Sequence, residues 1–221
     1  MDWFPLFLSI KVASIAAVIS AILAIPIGRL MARRHFWGKD VLEAIFLLPM
    51  VLPPTVVGYA LLMTFGKNGF IGGILAEFGI NIIFTSTAAI IASAIVAFPL
   101  MYMNARTGFS QVDVNLERAA CTLGAGRLWT FFTISLPLSF PALVAGFVLS
   151  FARALGEFGA TMMVAGNIPG RTQTIPLAIY FAMDAGNNEM ALKLVIIITI
   201  FSFGVILWSN WWLRKYKLRG R

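Results

Sequence analysis

Two ionisable residues stand four positions apart inside an apolar stretch of this 221-residue sequence. They are Arg153 and Glu157, in the run SFARALGEFGA. Residues at i and i+4 lie on one face of a helix, so their side chains can form an ion pair. Ionised groups inside a bilayer usually face the helix bundle or a water-filled path. We therefore interpret Arg153 and Glu157 either as part of an anion path or its gate, or as a pair that fixes helix packing.

Other reactive side chains are few. The chain has one histidine, His35, and one cysteine, Cys121, which excludes an intramolecular disulfide framework, a CxxC metal site and histidine-rich metal chemistry. No Ser/His/Asp or Cys/His arrangement is available, and no GxxxxGKS/T phosphate loop is present. We expect no enzyme activity and no cofactor, so any energy from ATP must come from a partner subunit.

The apolar runs that surround these residues predict a membrane protein. Hydrophobic residues make up 60% of the chain and charged residues 12%, against about half and about a quarter in a soluble domain. A spanning helix needs about 20 mostly apolar residues. We predict an all-α polytopic protein whose single transmembrane domain covers residues 1–221. Five segments reach the spanning length, at residues 6–28, 41–65, 84–104, 140–163 and 191–213.

The basic residues predict the orientation of these five segments. Most of the 17 lysines and arginines lie in the first connection, the third connection and the C-terminal tail. If the chain crosses the membrane five times, these three regions lie on the same side. The loops on the other side contain Lys67 and Arg171. By the positive-inside rule the N-terminus is outside and the C-terminus is cytoplasmic. The basic residues of the three regions are Arg29, Arg33, Arg34 and Lys39; Arg106, Arg118 and Arg127; and Arg214, Lys215, Lys217, Arg219 and Arg221.

Prolines interrupt the second apolar segment, at Pro49, Pro53 and Pro54. Each removes a backbone donor and kinks its helix. Freed carbonyls, and hydroxyls such as that of Thr55, are tolerated where they line a cavity or are covered by protein. We interpret Pro53, Pro54 and Thr55 as part of the translocation path or gate, with a kink needed only for packing as the alternative.

A polar segment, residues 105–137, separates the third and fourth apolar segments and falls on the cytoplasmic side. Asp113 or Asn115 can cap a helix that begins there, and Gly124 can end it in the left-handed conformation. Its apolar face would fit docking in a groove on another protein, or packing against the chain's own membrane helices. The members of that face, spaced i, i+3, i+4 and i+7, are Leu116, Ala119, Ala120 and Leu123.

A second short helix is predicted after the glycine turn, closed by Pro137. Helix, turn and helix with scattered arginines also describe a DNA-binding helix-turn-helix. Trp129 and Ile134 stand where such a motif needs base-reading polar residues, so we expect no nucleic-acid partner. The residues predicted to share one face of this helix are Leu128, Phe131, Phe132 and Ser135.

The polar segment resembles the cytoplasmic signature loop of ATP-binding cassette (ABC) importer permeases. The resemblance rests on the spacing Glu117-x-Ala119-Ala120-x3-Gly124-x9-Ile134-x-Leu136-Pro137. Two further stretches, FLLPMVLPPTVVGYALL and SFARALGEFGATMMVAGNIPGRTQTIP, are similar to the permease subunit of molybdate importers. Together the three stretches extend the resemblance over most of the chain. The family's first glutamate position is held by Arg118, with Glu117 adjacent.

This resemblance implies a type I ABC importer permease core in the cell inner membrane, surrounded by lipid. Two copies of the chain would form a homodimer with the anion path between them. A periplasmic or lipid-anchored oxyanion-binding protein would deliver molybdate at the outer face. Two copies of an ATPase subunit would dock on the coupling helices, at Glu117, Arg118, Ala119, Ala120, Leu123 and Gly124.

Two kinds of alternative stay open. A sulfate, thiosulfate or tungstate permease belongs to the same broad class, because related oxyanion permeases have GEFGA-type segments. An ATP-independent channel or secondary transporter belongs to another class. Secondary transporters often show inverted repeats, and the sequence has no evident repeat of that kind.

Overall fold

The computed structural model describes residues 3–219, which form helices and connecting turns without a strand. Arg221, and the side chains of Lys217 and Arg219, lie outside what is described. The all-α prediction is confirmed. The helices in chain order are α1 (Phe4–Arg33), α2 (Lys39–Val51), α3 (Pro54–Phe65), α4 (Phe70–Glu77), α5 (Ser86–Ser110), α6 (Val114–Thr122), α7 (Arg127–Thr130), a π-helical segment (Phe131–Ser135), α8 (Leu136–Leu155), α9 (Gly159–Ala165), α10 (Ile175–Asp184) and α11 (Asn188–Arg219).

Three long helices, α1, α5 and α8, pack together to form the core. Alanines line the contact between α1 and α5, where Ala16 and Ala97 have no exposed surface. A Cβ built on Gly28 would lie 2.9 Å from Cβ of Ala105, so glycine is needed for the helices to approach this closely. Small residues thus allow the backbones of α1 and α5 to approach closely.

The second apolar segment is broken, not merely kinked. Helices α2 and α3 meet at an angle of 110° across Leu52 and Pro53. Pro53 precedes the first turn of α3 and Pro54 lies in that turn, where the lack of an N–H leaves no helical bond unmade. Among the described residues, four helices are long and apolar enough to cross a membrane, and five if the bent pair counts as one span. The predicted number of spans is therefore confirmed on that count.

The fourth span was predicted at residues 140–163, and both of its ends are wrong. One continuous helical stretch runs Arg127–Leu155 through the π-helical segment, and the chain then turns before α9. Pro137 does not close a separate short helix, because it lies in the first turn of α8. A proline ring clashes with the carbonyl four residues earlier in an α-helix. The π-helical register just before Pro137 shifts these hydrogen bonds and accommodates the ring.

Two short helices fill the remaining connections. Helix α4 lies in the glycine-rich loop between α3 and α5, and α10 precedes α11. Helix α10 packs against α11 and α1, and its Ile175 N–H donates to the Ser9 hydroxyl at 2.7 Å. This contact ties α10 to the first turns of α1.

Candidate functional site

Helix α6 begins and ends as the sequence predicts. The Asp113 carboxylate accepts a hydrogen bond from the Asn115 N–H at 2.8 Å, so Asp113 is the cap. Gly124 follows the helix with a φ of 88°, a conformation that other residues adopt only with strain. A glycine at this position lets the chain reverse into α7.

An apolar groove of about 650 Å³ lies between α6 and α7. Leu123 is the most exposed of its large apolar side chains, at 87%. Ala119 is also exposed, whereas Ala120 is buried. A groove edged by exposed leucines and floored by alanines can receive apolar side chains from another protein. The residues that line it are Leu116, Ala119, Ala120, Leu123, Gly124, Ala125, Gly126, Trp129 and Ile134.

The face predicted for the second short helix is wrong. Leu128 and Phe132 are exposed, whereas Ser135 is fully buried. Unlike Leu128 and Phe132, Phe131 packs toward the interior, with its ring centroid 6.1 Å from that of Phe109. The π-helical segment causes the difference, because its wider turn changes which side chains share a face.

Glu117 and Arg118, which the sequence groups together, point to different surroundings. One carboxylate oxygen of Glu117 lies 3.1 Å from an Arg33 guanidinium nitrogen and accepts a hydrogen bond from the Ser135 hydroxyl at 2.5 Å. Arg118 is exposed. Glu117 therefore faces the body of the protein, and Arg118 is the charged residue of this pair that faces outward. The partners of Glu117 lie 84 and 18 positions away along the chain, and no sequence pattern indicates them.

The ion pair of Arg153 and Glu157 is present, with nitrogen and oxygen 2.8 Å apart. The two residues do not share a helix, because α8 ends at Leu155 and Glu157 lies in the turn that follows. The other Glu157 oxygen accepts a hydrogen bond from the Ala160 N–H at 2.8 Å. One carboxylate thus neutralises Arg153 and caps α9.

The two helix breaks lie against each other. A Cβ built on Gly159, at the start of α9, would lie 3.0 Å from Cβ of Pro54 and 3.4 Å from the backbone nitrogen of Thr55. Further along, a Cβ on Gly58 would lie 2.8 Å from Cβ of Met163. The predicted pathway residues of α3 are therefore brought next to the turn that holds Glu157. Gly58 and Gly159 permit this approach, and Gly159 is the one of the two that no sequence pattern indicates.

Exposure within this region is uneven. Only 1% of the Glu157 side chain is exposed, against 33% of that of Arg153. Pro53 and Thr55 are also exposed. The cation of the pair is thus accessible from outside the chain while its carboxylate is covered.

No metal site accompanies these features in the part of the chain that the structure describes. Among residues 3–219, no group of three or more His, Cys, Asp and Glu side chains could hold an ion. In the described residues the arrangement consists of a charge pair, an apolar groove, a broken second apolar segment and the turn after α8.

Comparisons with known proteins bear on these features. The family described as "Binding-protein-dependent transport system inner membrane component" matches residues 24–217. The molybdenum transport system permease protein ModB of Haemophilus influenzae is 47% identical over 213 residues, covering 96% of this chain and 93% of its own. The Escherichia coli K12 protein of the same name is 46% identical over 212 residues, covering 95% and 93%.

A solved structure shows the same architecture. A chain of the MetNI methionine ABC transporter, in an inward-facing conformation, matches with a TM-score of 0.75 and covers 98% of this chain and 99% of its own. The two sequences are 15% identical, so this likeness concerns the fold alone.

Proposed function

The chain belongs to the family of binding-protein-dependent transport system inner membrane components, and we propose that it is the membrane-spanning subunit of an ATP-driven importer of molybdate. Its fold is that of a type I ABC importer permease. It is a multi-pass protein of the cell inner membrane. ATP hydrolysis belongs to a separate subunit, and this chain converts the movements of that subunit into access across the membrane.

The groove between α6 and α7 is the observation that carries the coupling role. Apolar side chains as exposed as Leu123 and Trp129 are costly in water, so a groove that presents them fits a partner surface. Docking there would place an ATPase subunit against Ala119 and beside the outward-facing Arg118. A second copy of the chain would supply the second docking site.

The region where the break between α2 and α3 lies against the turn after α8 supports a path for the anion between two copies. Pro53, Thr55 and part of Arg153 are exposed in the single chain, on helices whose remaining surface is largely apolar. A guanidinium has five N–H donors, and one carboxylate leaves several of them free to bind an oxyanion. A neutralised arginine binds a dianion weakly, which suits passage better than storage.

Uptake in competition tests the substrate. Cells that carry this chain with its ATPase and binding protein are expected to accumulate labelled molybdate, and an excess of unlabelled molybdate should abolish the signal. A hundredfold molar excess of sulfate or thiosulfate should leave most of it, because the chain's relatives named for molybdenum match nearly its whole length. Competition by sulfate as strong as that by molybdate would instead assign the chain to the sulfate class. Competition by tungstate but not by sulfate would indicate that the chain transports both molybdate and tungstate.

The orientation can be tested without mutagenesis, because Cys121 is the one cysteine of the chain and is exposed on α6. With α6 in the cytoplasm, a membrane-impermeant maleimide should leave Cys121 unlabelled in intact cells or spheroplasts. The same reagent should label it in inside-out vesicles prepared without the ATPase subunit. Labelling from the outside would reverse the orientation that the basic residues predict.

A further inference from the structure

Helix α6 has little apolar contact with the rest of the chain. Ala120 is its one buried residue, and burial of a single methyl group contributes about 1 kcal/mol or less. Covalent continuity with α5 and α7 fixes only its ends. The orientation of α6 therefore depends on its polar contacts.

The carboxylate of Glu117 provides those contacts. One oxygen receives both the Arg33 guanidinium, at 3.1 Å, and the Ser135 hydroxyl, at 2.5 Å. Ser135 is fully buried, and the side chains of Glu117 and Arg33 are each 18% exposed. Hydrogen bonds to a charged group are roughly twice as strong as neutral ones, and partial burial protects them from water. Glu117 thus joins α6 to the end of α1 and to the π-helical segment.

Arg33 extends this connection to a third element. The same guanidinium nitrogen donates to the Val112 carbonyl at 2.9 Å, in the connection between α5 and α6. One turn earlier on α1, the guanidinium of Arg29 lies 4.2 Å from the centroid of the Phe131 ring, a cation–π contact. The end of α1 is therefore attached to both flanks of the segment that carries α6.

We propose that Glu117 is a positioning residue that transmits the movement of α6 to α1 and α8 through Arg33 and Ser135. The proposal rests on the proposed function, since it concerns how the docking helix drives the membrane helices. The π-helical segment leads directly into α8, which ends two residues before Glu157. A movement of α6 would thus be transmitted through the Glu117 carboxylate to α8, the helix that contains Arg153. In contrast to a docking residue, Glu117 would act without touching the ATPase.

Glu117→Gln tests this role in the assembled complex, reconstituted in proteoliposomes with the ATPase subunits and the binding protein. The amide keeps the shape of the side chain and removes its charge. We expect the ATPase subunits to co-purify in full and to hydrolyse ATP, while molybdate transported per ATP falls roughly tenfold, as for changes of coupling energy of 1–2 kcal/mol. Glu189→Gln is the matched control: it removes an acid from an exposed pair with Lys193 on α11, and its transport per ATP should equal that of the wild type.

A charge exchange separates positioning from simple stability. In Glu117→Arg combined with Arg33→Glu the pair is rebuilt in reverse, so transport per ATP should recover beyond that of either single variant. Loss of the ATPase subunits from Glu117→Gln would make Glu117 a docking residue and overturn the proposal. Transport per ATP equal to the wild type in Glu117→Gln would overturn it as well.

A second readout does not depend on transport. Amide hydrogen exchange in α6 should be faster in Glu117→Gln than in the wild type, and unchanged exchange would contradict the connection itself. If the wild-type complex transported no oxyanion, the proposed function itself would be contradicted. The exchange measurement thus distinguishes failure of the connection from failure of the function.

Discussion

Ala119→Trp should release the ATPase subunits from the membrane complex. Ala119 is exposed and lines the groove between α6 and α7, so an indole there would fill the space that a partner side chain needs. Loss of a hot-spot contact typically costs about 2 kcal/mol or more, so docking should weaken by about 30-fold or more. Co-purification of the ATPase with the tagged chain measures the loss, while the amount of chain in the membrane should stay the same.

Ala119 is a better position for this test than its neighbour. Ala120 is 7% exposed, so a bulky residue there would also disturb the folded chain. Val114→Trp is the matched control, because residue 114 lies about 140° around the helix from residue 119 and does not line the groove. Full retention of the ATPase by Ala119→Trp, or equal loss from both variants, would contradict docking in this groove.

Arg153→Gln should remove both transport and much of the chain's stability. The substitution leaves the buried carboxyl of Glu157 without its cation, and breaking a buried pair in this way costs about 3–5 kcal/mol. Glu157→Gln should cost less, because it leaves unpaired a side chain that is one-third exposed, whereas Arg153→Gln leaves unpaired a carboxylate that is 1% exposed. Thermal unfolding in detergent and the amount of chain in the membrane measure these two effects.

The double variant Arg153→Gln with Glu157→Gln separates the two interpretations of the pair. Without either charge, the desolvation penalty disappears, and the amide of residue 157 can still accept the hydrogen bond from Ala160. Membrane levels and thermal stability should therefore return close to those of the wild type. Molybdate uptake should stay at least tenfold reduced if Arg153 binds the passing anion. Recovery of uptake together with stability would show that the pair only fixes helix packing.

Features set by neighbouring residues could be predicted from the sequence. The run lengths predict the membrane helices, and the cap at Asp113 and the turn at Gly124 follow from the preferences of single residues. The ion pair of Arg153 and Glu157 follows from their spacing, which also holds across the turn after α8. These features depend on contacts within a few positions of the chain.

Features set by distant contacts could not be predicted. The partner of Glu117 is Arg33, and sequence spacing carries no information on a pair so far apart. The π-helical segment depends on how Phe131 packs against Phe109 and on Pro137, which follows it. A prediction from the period of an α-helix therefore assigned the wrong residues to the face of this helix. The break after Leu155 forms where Gly159 meets Pro54 across two helices. Packing between helices, not local preference, determines these parts of the site.

ATP-driven accumulation of molybdate tests the central claim most directly. Proteoliposomes would contain this chain with its ATPase subunits, ATP in the lumen, and the binding protein with labelled molybdate outside. We predict accumulation above the external concentration with ATP, and none with a non-hydrolysable analogue or with Ala119→Trp in place of the wild type. Equal molybdate entry without ATP or without the ATPase subunits would contradict the account and indicate a channel or secondary transporter.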